Sequence, residues 1–166
     1  VPGGRAMNNF VSKYGRIYEH SEWVAEQSAP IVGDVDDLEV IAAVMADCVD
    51  NAAKDRQLAL IRAHPDLAGK AQVAGELTAD STSEQASAGL DQCSPEEYQR
   101  FQDLNEAYHA KFGFPFVMAV RGSSRAEILT AFEARLDNAP EVEFETALAE
   151  IHRIARLRLE AQETSA

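Results

Sequence analysis

The sequence predicts an all-α fold: a single compact multi-helical domain of roughly seven or eight helices. Three observations predict it. Apolar residues recur at spacings of three and four through most of the chain. Helix-start signals precede several of those stretches. No run alternates apolar and polar residues as a half-buried strand would. The 166 residues suit one domain. A chain of this size buries enough surface to hold a core without disulfides or a metal.

The elements follow in order. Residues 1–6 are set aside as a candidate expression remnant, which gives a domain over 7–162. Asp36 and Asp37 can cap a helix that carries Leu38, Ile41, Val44, Met45 and Cys48 on one side. Gln57 to Ala63 reads as a helix that stops near His64, because Pro65 disfavours helical backbone in the residue before it. Ser81-Thr82-Ser83-Glu84 fits a capping box, with Ser81 as N-cap. Ser94-Pro95-Glu96-Glu97 is a stronger start signal, since the Ser caps, the Pro fits the first turn and the Glu closes the box. The helix it opens places Tyr98, Phe101, Leu104, Tyr108 and Phe112 on one face and ends at Gly113. Ser124 and Glu127 repeat the box before Ile128, Leu129, Phe132 and Leu136. Pro140 opens a last helix through about Glu160. Between them, Phe114 to Val120 is apolar but contains Pro115, so it reads as a buried extended connector.

Composition excludes several function classes. Lys plus Arg is 15 and Asp plus Glu is 28, a formal charge of −13. Nucleic acids and anionic membranes both need a basic footprint that this balance does not provide. Cys48 and Cys93 sit apart and outside any C-x-x-C pattern, so they read as reduced thiols in a cytoplasmic protein. No apolar run approaches the ~18 residues of a membrane span. No secretory signal opens the chain, and Thr164-Ser165-Ala166 is not the S-K-L address. The sequence has no H-E-x-x-H, G-x-G-x-x-G or G-x-S-x-G motif. His20, His109 and His152 are scattered without metal-ligand spacing, so no metal site is expected.

Three residues could carry chemistry. With the last helix on a wheel of about 100° per residue, Arg158 falls on the face of Phe144, Ala147, Leu148, Ile151, Ile154 and Ala155, while Arg153 and Arg156 fall on the far side. A guanidinium on an apolar stripe is costly unless it pairs or meets an anion. Periodicity leaves two readings open: a structural Arg that frays, snorkels or pairs with a core carboxylate, and an anion-binding Arg. His64 lies at a helix end where its ring can enter a cleft, and imidazole suits proton transfer near neutral pH. Taken alone, such a histidine is more often a surface or satisfied core residue. Glu84 reads either as the far end of the capping box or as a carboxylate that orients a histidine.

His64-Pro65-Asp66-Leu67-Ala68-Gly69-Lys70, Ser81 to Gln85, Gly113-Phe114-Pro115-Phe116 with Val120-Arg121-Gly122, and Ile154 to Leu159 together resemble the signature series of the 2-oxo-4-hydroxy-4-carboxy-5-ureidoimidazoline (OHCU) decarboxylase family. Tyr18 to Glu26 resembles its N-terminal segment. Each motif is short, and their order over about Tyr14 to Leu159 gives the specificity. The resemblance implies an all-α domain, no metal or organic cofactor, and a homodimer. It implies that His64 and Glu84 are catalytic. It also implies that Ser81, Gln85 and Pro65 line the substrate site, that an arginine of the last helix, Arg158 by the wheel, holds the substrate, and that Phe116, Val117 and Met118 offer backbone contacts. The implied reaction converts the ureidoimidazoline to (S)-allantoin in urate catabolism. Some relatives carry a fused transthyretin-like hydrolase, for which this chain lacks the length.

That reaction explains the implied lack of a cofactor. The carboxylated carbon bears a hydroxyl and neighbours a ring C=N bond, so the ring can take the electron pair. His64 would then act as general acid/base, Glu84 would orient it, and Arg158 would clamp the carboxylate or a ring oxygen. Two rivals are a non-catalytic, acidic protein-binding module and a ureide or imidazole hydrolase.

Overall fold

A computed structural model describes residues 9–165. Every regular element among them is helical, as the sequence predicts. The chain is helical at residues 9–14 (α1), and α2 (Trp23–Val32), α3 (Leu38–Asp50) and α4 (Lys54–Arg62) follow. Next come α5 (Lys70–Ala74), α6 (Ala79–Ser87) and a 3-10 turn at Leu90–Gln92. The series ends with α7 (Pro95–Phe112), α8 (Arg125–Leu136) and α9 (Pro140–Ser165). The short α5 has no signal in the apolar periodicity, and α9 outruns its expected end because residues 161–165 contain neither Gly nor Pro to stop it. The proposed remnant at 1–6 lies outside the described residues.

Packing resolves the described residues into two compact units, one running through residue 63 and resuming at 151, the other of residues 64–150. In the first, α2 packs on α3. Val24, Ala25, Ala29 and Val32 of α2 and Ile41, Met45 and Val49 of α3 are buried. Asp37 alone caps α3, its carboxylate accepting from the Glu39 and Val40 amides. From α9, Ile151, Ile154, Ala155 and Leu159 are buried.

The second unit centres on aromatics. Two of the three expected capping boxes are present, at Ser94/Glu97 and Ser124/Glu127, and they fix the starts of α7 and α8. The α7 stripe delivers Phe101 and Tyr108 to the interior. Residues 114–120 form no helix, and Phe114, Pro115, Phe116 and Val117 are buried, so the connector is as expected. Phe116 stacks on Phe132 at 3.9 Å with the rings 8° from parallel. Tyr108 meets both rings edge-on at 5.5 and 5.8 Å. Cutting a ring such as Phe132 back to Ala would cost about 3–5 kcal/mol.

One cap differs from expectation. Thr78, not Ser81, is the N-cap of α6, and its side chain accepts from the Ser81 amide. Ser81 is therefore already inside the helix, and Glu84 is a turn further along. The Ser-x-x-Glu spacing matches the box, but Thr78 reaches the free amides first. Glu84 is not spent on closing the helix start.

Candidate active site

His64 opens the second unit, immediately after Ala63, the C-cap of α4. It is 7% exposed. Pro65 follows it, and the chain then turns through Asp66, Leu67 and Ala68 before Gly69 caps α5. This loop cannot satisfy its own backbone, yet Leu67 and Ala68 are buried. Buried peptide groups without partners are costly, and here side chains provide the partners. Gln85 donates to the Asp66 carbonyl at 3.2 Å and accepts from the Ala68 amide at 3.0 Å. Asn105 donates to the Leu67 carbonyl at 3.0 Å, and Gln102 donates to the Ala68 carbonyl at 2.7 Å. His109 Nε2 meets the Asp66 carboxylate at 2.7 Å. Gln102, Asn105 and His109 lie on one face of α7, spaced to meet successive residues of the loop.

Those bonds hold a backbone that resists its shape. Ala68 sits at φ +50°, in the left-handed region, which costs a residue with a Cβ about 1–2 kcal/mol. Gly69 is required by contact, since a Cβ there would lie 2.9 Å from the Asp66 Cβ. The Asn105 Oδ1 is buried with no hydrogen-bond partner among the described residues.

On α6, Ser81 and Gln85 are buried one turn apart, and Glu84 beside them is half-buried. Gln85, expected to line a substrate site, thus has its amide engaged with the loop that begins at His64. The Phe116–Met118 connector is fixed from α8 and α9. Arg135 Nη1 donates to the Val117 carbonyl at 2.7 Å, and Glu150 accepts from the Ala119 amide at 3.1 Å. Arg135 is paired with Glu143 at 2.9 Å, and Tyr108 and Asn138 also donate to that carboxylate. Burial pushes the Glu143 carboxyl up, but the hydrogen bonds from Arg135, Tyr108 and Asn138 outweigh it and hold the group below its ordinary value. Burial, and then the Glu143 bond, push the Tyr108 hydroxyl well above its ordinary range.

Arg158 belongs to the first unit, and the wheel places it correctly. It is buried, while Arg156 points outward and pairs with Glu39 and Glu160. Arg158 Nη2 lies 3.6 Å from the Glu19 carboxylate, and its Nη1 donates to the Arg16 carbonyl at 3.3 Å. Of the two readings left open by periodicity, the core carboxylate is present. In the same unit, the Tyr18 hydroxyl meets His152 Nδ1 at 2.8 Å, and His152 Nε2 meets Asp50 at 2.9 Å.

Sequence reasoning missed Asn105, Gln102, Arg135, Glu143 and Glu19. A signal existed for two of them. Asn105 sits on the Phe101–Tyr108 stripe and Glu143 on the Ala147–Ile151 stripe, which is the pattern that singled out Arg158. Among the described residues, no group of three or more His, Cys, Asp or Glu is arranged to hold a metal, and no helix is long and apolar enough to cross a membrane.

Comparison with known proteins completes the picture. The family model described as OHCU decarboxylase matches residues 6–160. A Haloferax volcanii protein named 2-oxo-4-hydroxy-4-carboxy-5-ureidoimidazoline decarboxylase is 47% identical over 154 residues, covering 92% of this chain and 88% of the relative. A Mus musculus protein of the same name is 38% identical over 156 residues, covering 92% and 85%. A crystal structure of (S)-allantoin synthase is similar with a TM-score of 0.75 at 32% identity, covering 96% of this chain and 52% of that one. A crystal structure of OHCU decarboxylase in the presence of (S)-allantoin gives 0.70 at 26% identity, covering 87% and 93%.

Proposed function

The chain belongs to the OHCU decarboxylase family, and on that premise we propose that it converts 2-oxo-4-hydroxy-4-carboxy-5-ureidoimidazoline to (S)-allantoin and CO₂. The observation that carries this reading is the family match over residues 6–160. The side-chain-held loop beginning at His64 supports it, because such a loop presents its first residue in one orientation.

The chemistry fits these residue types. The bond to the carboxylate breaks, its electron pair moves toward the neighbouring ring C=N, and the ring nitrogen that receives it takes up a proton from solvent. The hydroxyl oxygen becomes a carbonyl and gives up its proton, and the ring carbon that bears the ureido group gains one. His64 is assigned to move that proton. Glu84, more than a turn beyond the Thr78 cap, is assigned to orient the imidazole. Ser81, Gln85 and Pro65 are assigned to the substrate wall, and the Phe116–Met118 peptides to backbone contacts. Arg158 is assigned the substrate carboxylate or a ring oxygen, a role that rests on the family's last-helix arginine. A cytoplasmic homodimer belongs to the same reading, and light scattering checks the oligomer.

The test follows CO₂ release and the chirality of allantoin from freshly generated substrate. Accelerated release with one enantiomer is expected. Release at the uncatalysed rate, with racemic allantoin, would overturn the reading.

A further inference from the structure

We propose that Arg135 is a positioning residue that sets the peptide orientation of the Phe116–Met118 connector for substrate. This rests on the decarboxylase reading in one respect, that the connector faces substrate.

The connector lacks the backbone hydrogen bonds of a helix or sheet, so something else must fix its peptide planes. Arg135 does so through Nη1, Nε and the face of its guanidinium. Nη1 donates to the Val117 carbonyl at 2.7 Å. The guanidinium carbon lies 4.3 Å from the Phe116 ring centroid. Nε donates to the Glu143 carboxylate at 3.0 Å, and Nη2 lies 2.9 Å from it as an ion-pair contact without hydrogen-bond geometry. Glu143 is 0% exposed, and Tyr108 and Asn138 anchor it in turn. Two residues beyond Val117, Glu150 accepts from the Ala119 amide at 3.1 Å. The two bonds bracket Met118 and leave little freedom to rotate the peptides on either side of it. The amides of Val117 and Met118 have no hydrogen-bond acceptor among the described residues, and the Met118 amide shares the peptide whose carbonyl Arg135 holds.

A buried ion pair is weak evidence for stability alone, since apolar replacements often fold as well. What the pair adds here is geometric. A planar fork can grip a carboxylate, a carbonyl and a ring face together, which an ammonium cannot. Loss of the fork should therefore weaken substrate grip while leaving the proton-moving group alone.

Two variants test this. Arg135→Lys keeps the charge beside Glu143 and loses the fork. Arg135→Met with Glu143→Gln removes both charges while leaving Tyr108 and Asn138 an acceptor, and it stands in if the first variant folds poorly. Arg100→Lys, at an exposed arginine paired with Glu133, is the control. The readouts are amide ¹⁵N–¹H shifts of residues 116–119, affinity for (S)-allantoin, and KM and kcat across pH. We expect the connector shifts to move in both variants and (S)-allantoin affinity to fall roughly tenfold or more. KM should rise similarly, and the pH profile of kcat should keep its shape. Unmoved connector shifts in both variants would overturn the brace. Moved shifts with unchanged affinity and KM would overturn its role toward substrate. A wild-type protein that neither binds (S)-allantoin nor turns over substrate would sink the decarboxylase reading, and the substrate half of this proposal with it. The shifts would then still decide whether Arg135 braces the connector.

Discussion

Arg158 and Glu19 are a buried ion pair, 3.6 Å apart with each side chain 3% exposed. The separation is too long for a well-formed hydrogen bond, so the attraction is mainly charge on charge in a poorly solvated place. Breaking such a pair from one side removes a buried countercharge. Arg158→Ala is therefore expected to lower unfolding free energy by about 3–5 kcal/mol. Replacing both residues with Leu should recover most of that loss. Denaturant unfolding of the three proteins checks it. A single variant as stable as wild type would show that Glu19 does not depend on Arg158. If Arg158 also binds substrate, Arg158→Lys should retain stability and lose affinity, because it keeps the charge without the planar fork.

Gln85 separates a wall role from a brace role. Its amide makes two bonds to the His64 loop, at 3.2 and 3.0 Å, and it is 2% exposed. Gln85→Ala strands the part-buried Asp66 carbonyl and the buried Ala68 amide, the latter at about 1–3 kcal/mol before relaxation. We expect a stability loss of about 2 kcal/mol or more together with lower kcat. Urea unfolding in the absence of substrate is the decisive measurement. Wild-type stability with impaired kinetics would mean that the amide serves substrate and not the loop.

Glu143 gives a pH signature with a definite sign. Its folded pKa is depressed by the Arg135, Tyr108 and Asn138 bonds that outweigh burial. A depressed carboxyl stabilises the fold above its unfolded pKa, and that stability is lost as pH falls through the folded pKa. The window therefore begins near the ordinary glutamate value of about 4.3 and extends below it. Glu143→Gln should be strongly destabilised at pH 7, where it leaves Arg135 without its carboxylate. The gap to wild type should narrow as pH drops toward 3. A gap independent of pH would show that Glu143 is not ionised in the fold.

These contrasts indicate what the sequence could and could not reveal. Helices were legible where apolar spacing and a Ser-x-x-Glu start coincided, as at Ser94 and Ser124. The same four-residue pattern misled at Ser81, because it cannot report that Thr78 competes for the same amides. The inward direction of Arg158 was legible from one helix. Its partner Glu19 was not, because it sits in an irregular segment far away in sequence, where no period applies. The His64 loop was legible as a motif. The amides that hold it lie 17 to 38 residues away, and only the fold brings them to it.

His64 carries the last prediction, and its difficulty is separating chemistry from support. The residue is buried at the head of a loop that tolerates little distortion, since Ala68 already sits at φ +50°. A large substitution would disturb that loop and lower activity for reasons unrelated to proton transfer. His64→Asn avoids this, keeping a polar side chain of similar reach while removing the group that can take up and release a proton near neutral pH. If His64 is the general acid/base, kcat should fall by roughly 10²–10⁴-fold with little change in KM. Stability and (S)-allantoin affinity should stay close to wild type, showing that loop and binding surface are intact. Glu84→Gln provides the second measurement. It keeps size and hydrogen bonding but removes the charge, so it should lower kcat less than His64→Asn. Combined with His64→Asn it should cost little more, because residues acting as one unit are not additive. Additive losses would separate Glu84 from His64 in the mechanism. An unchanged kcat in His64→Asn would remove the histidine from the chemistry and leave it a structural residue of the loop.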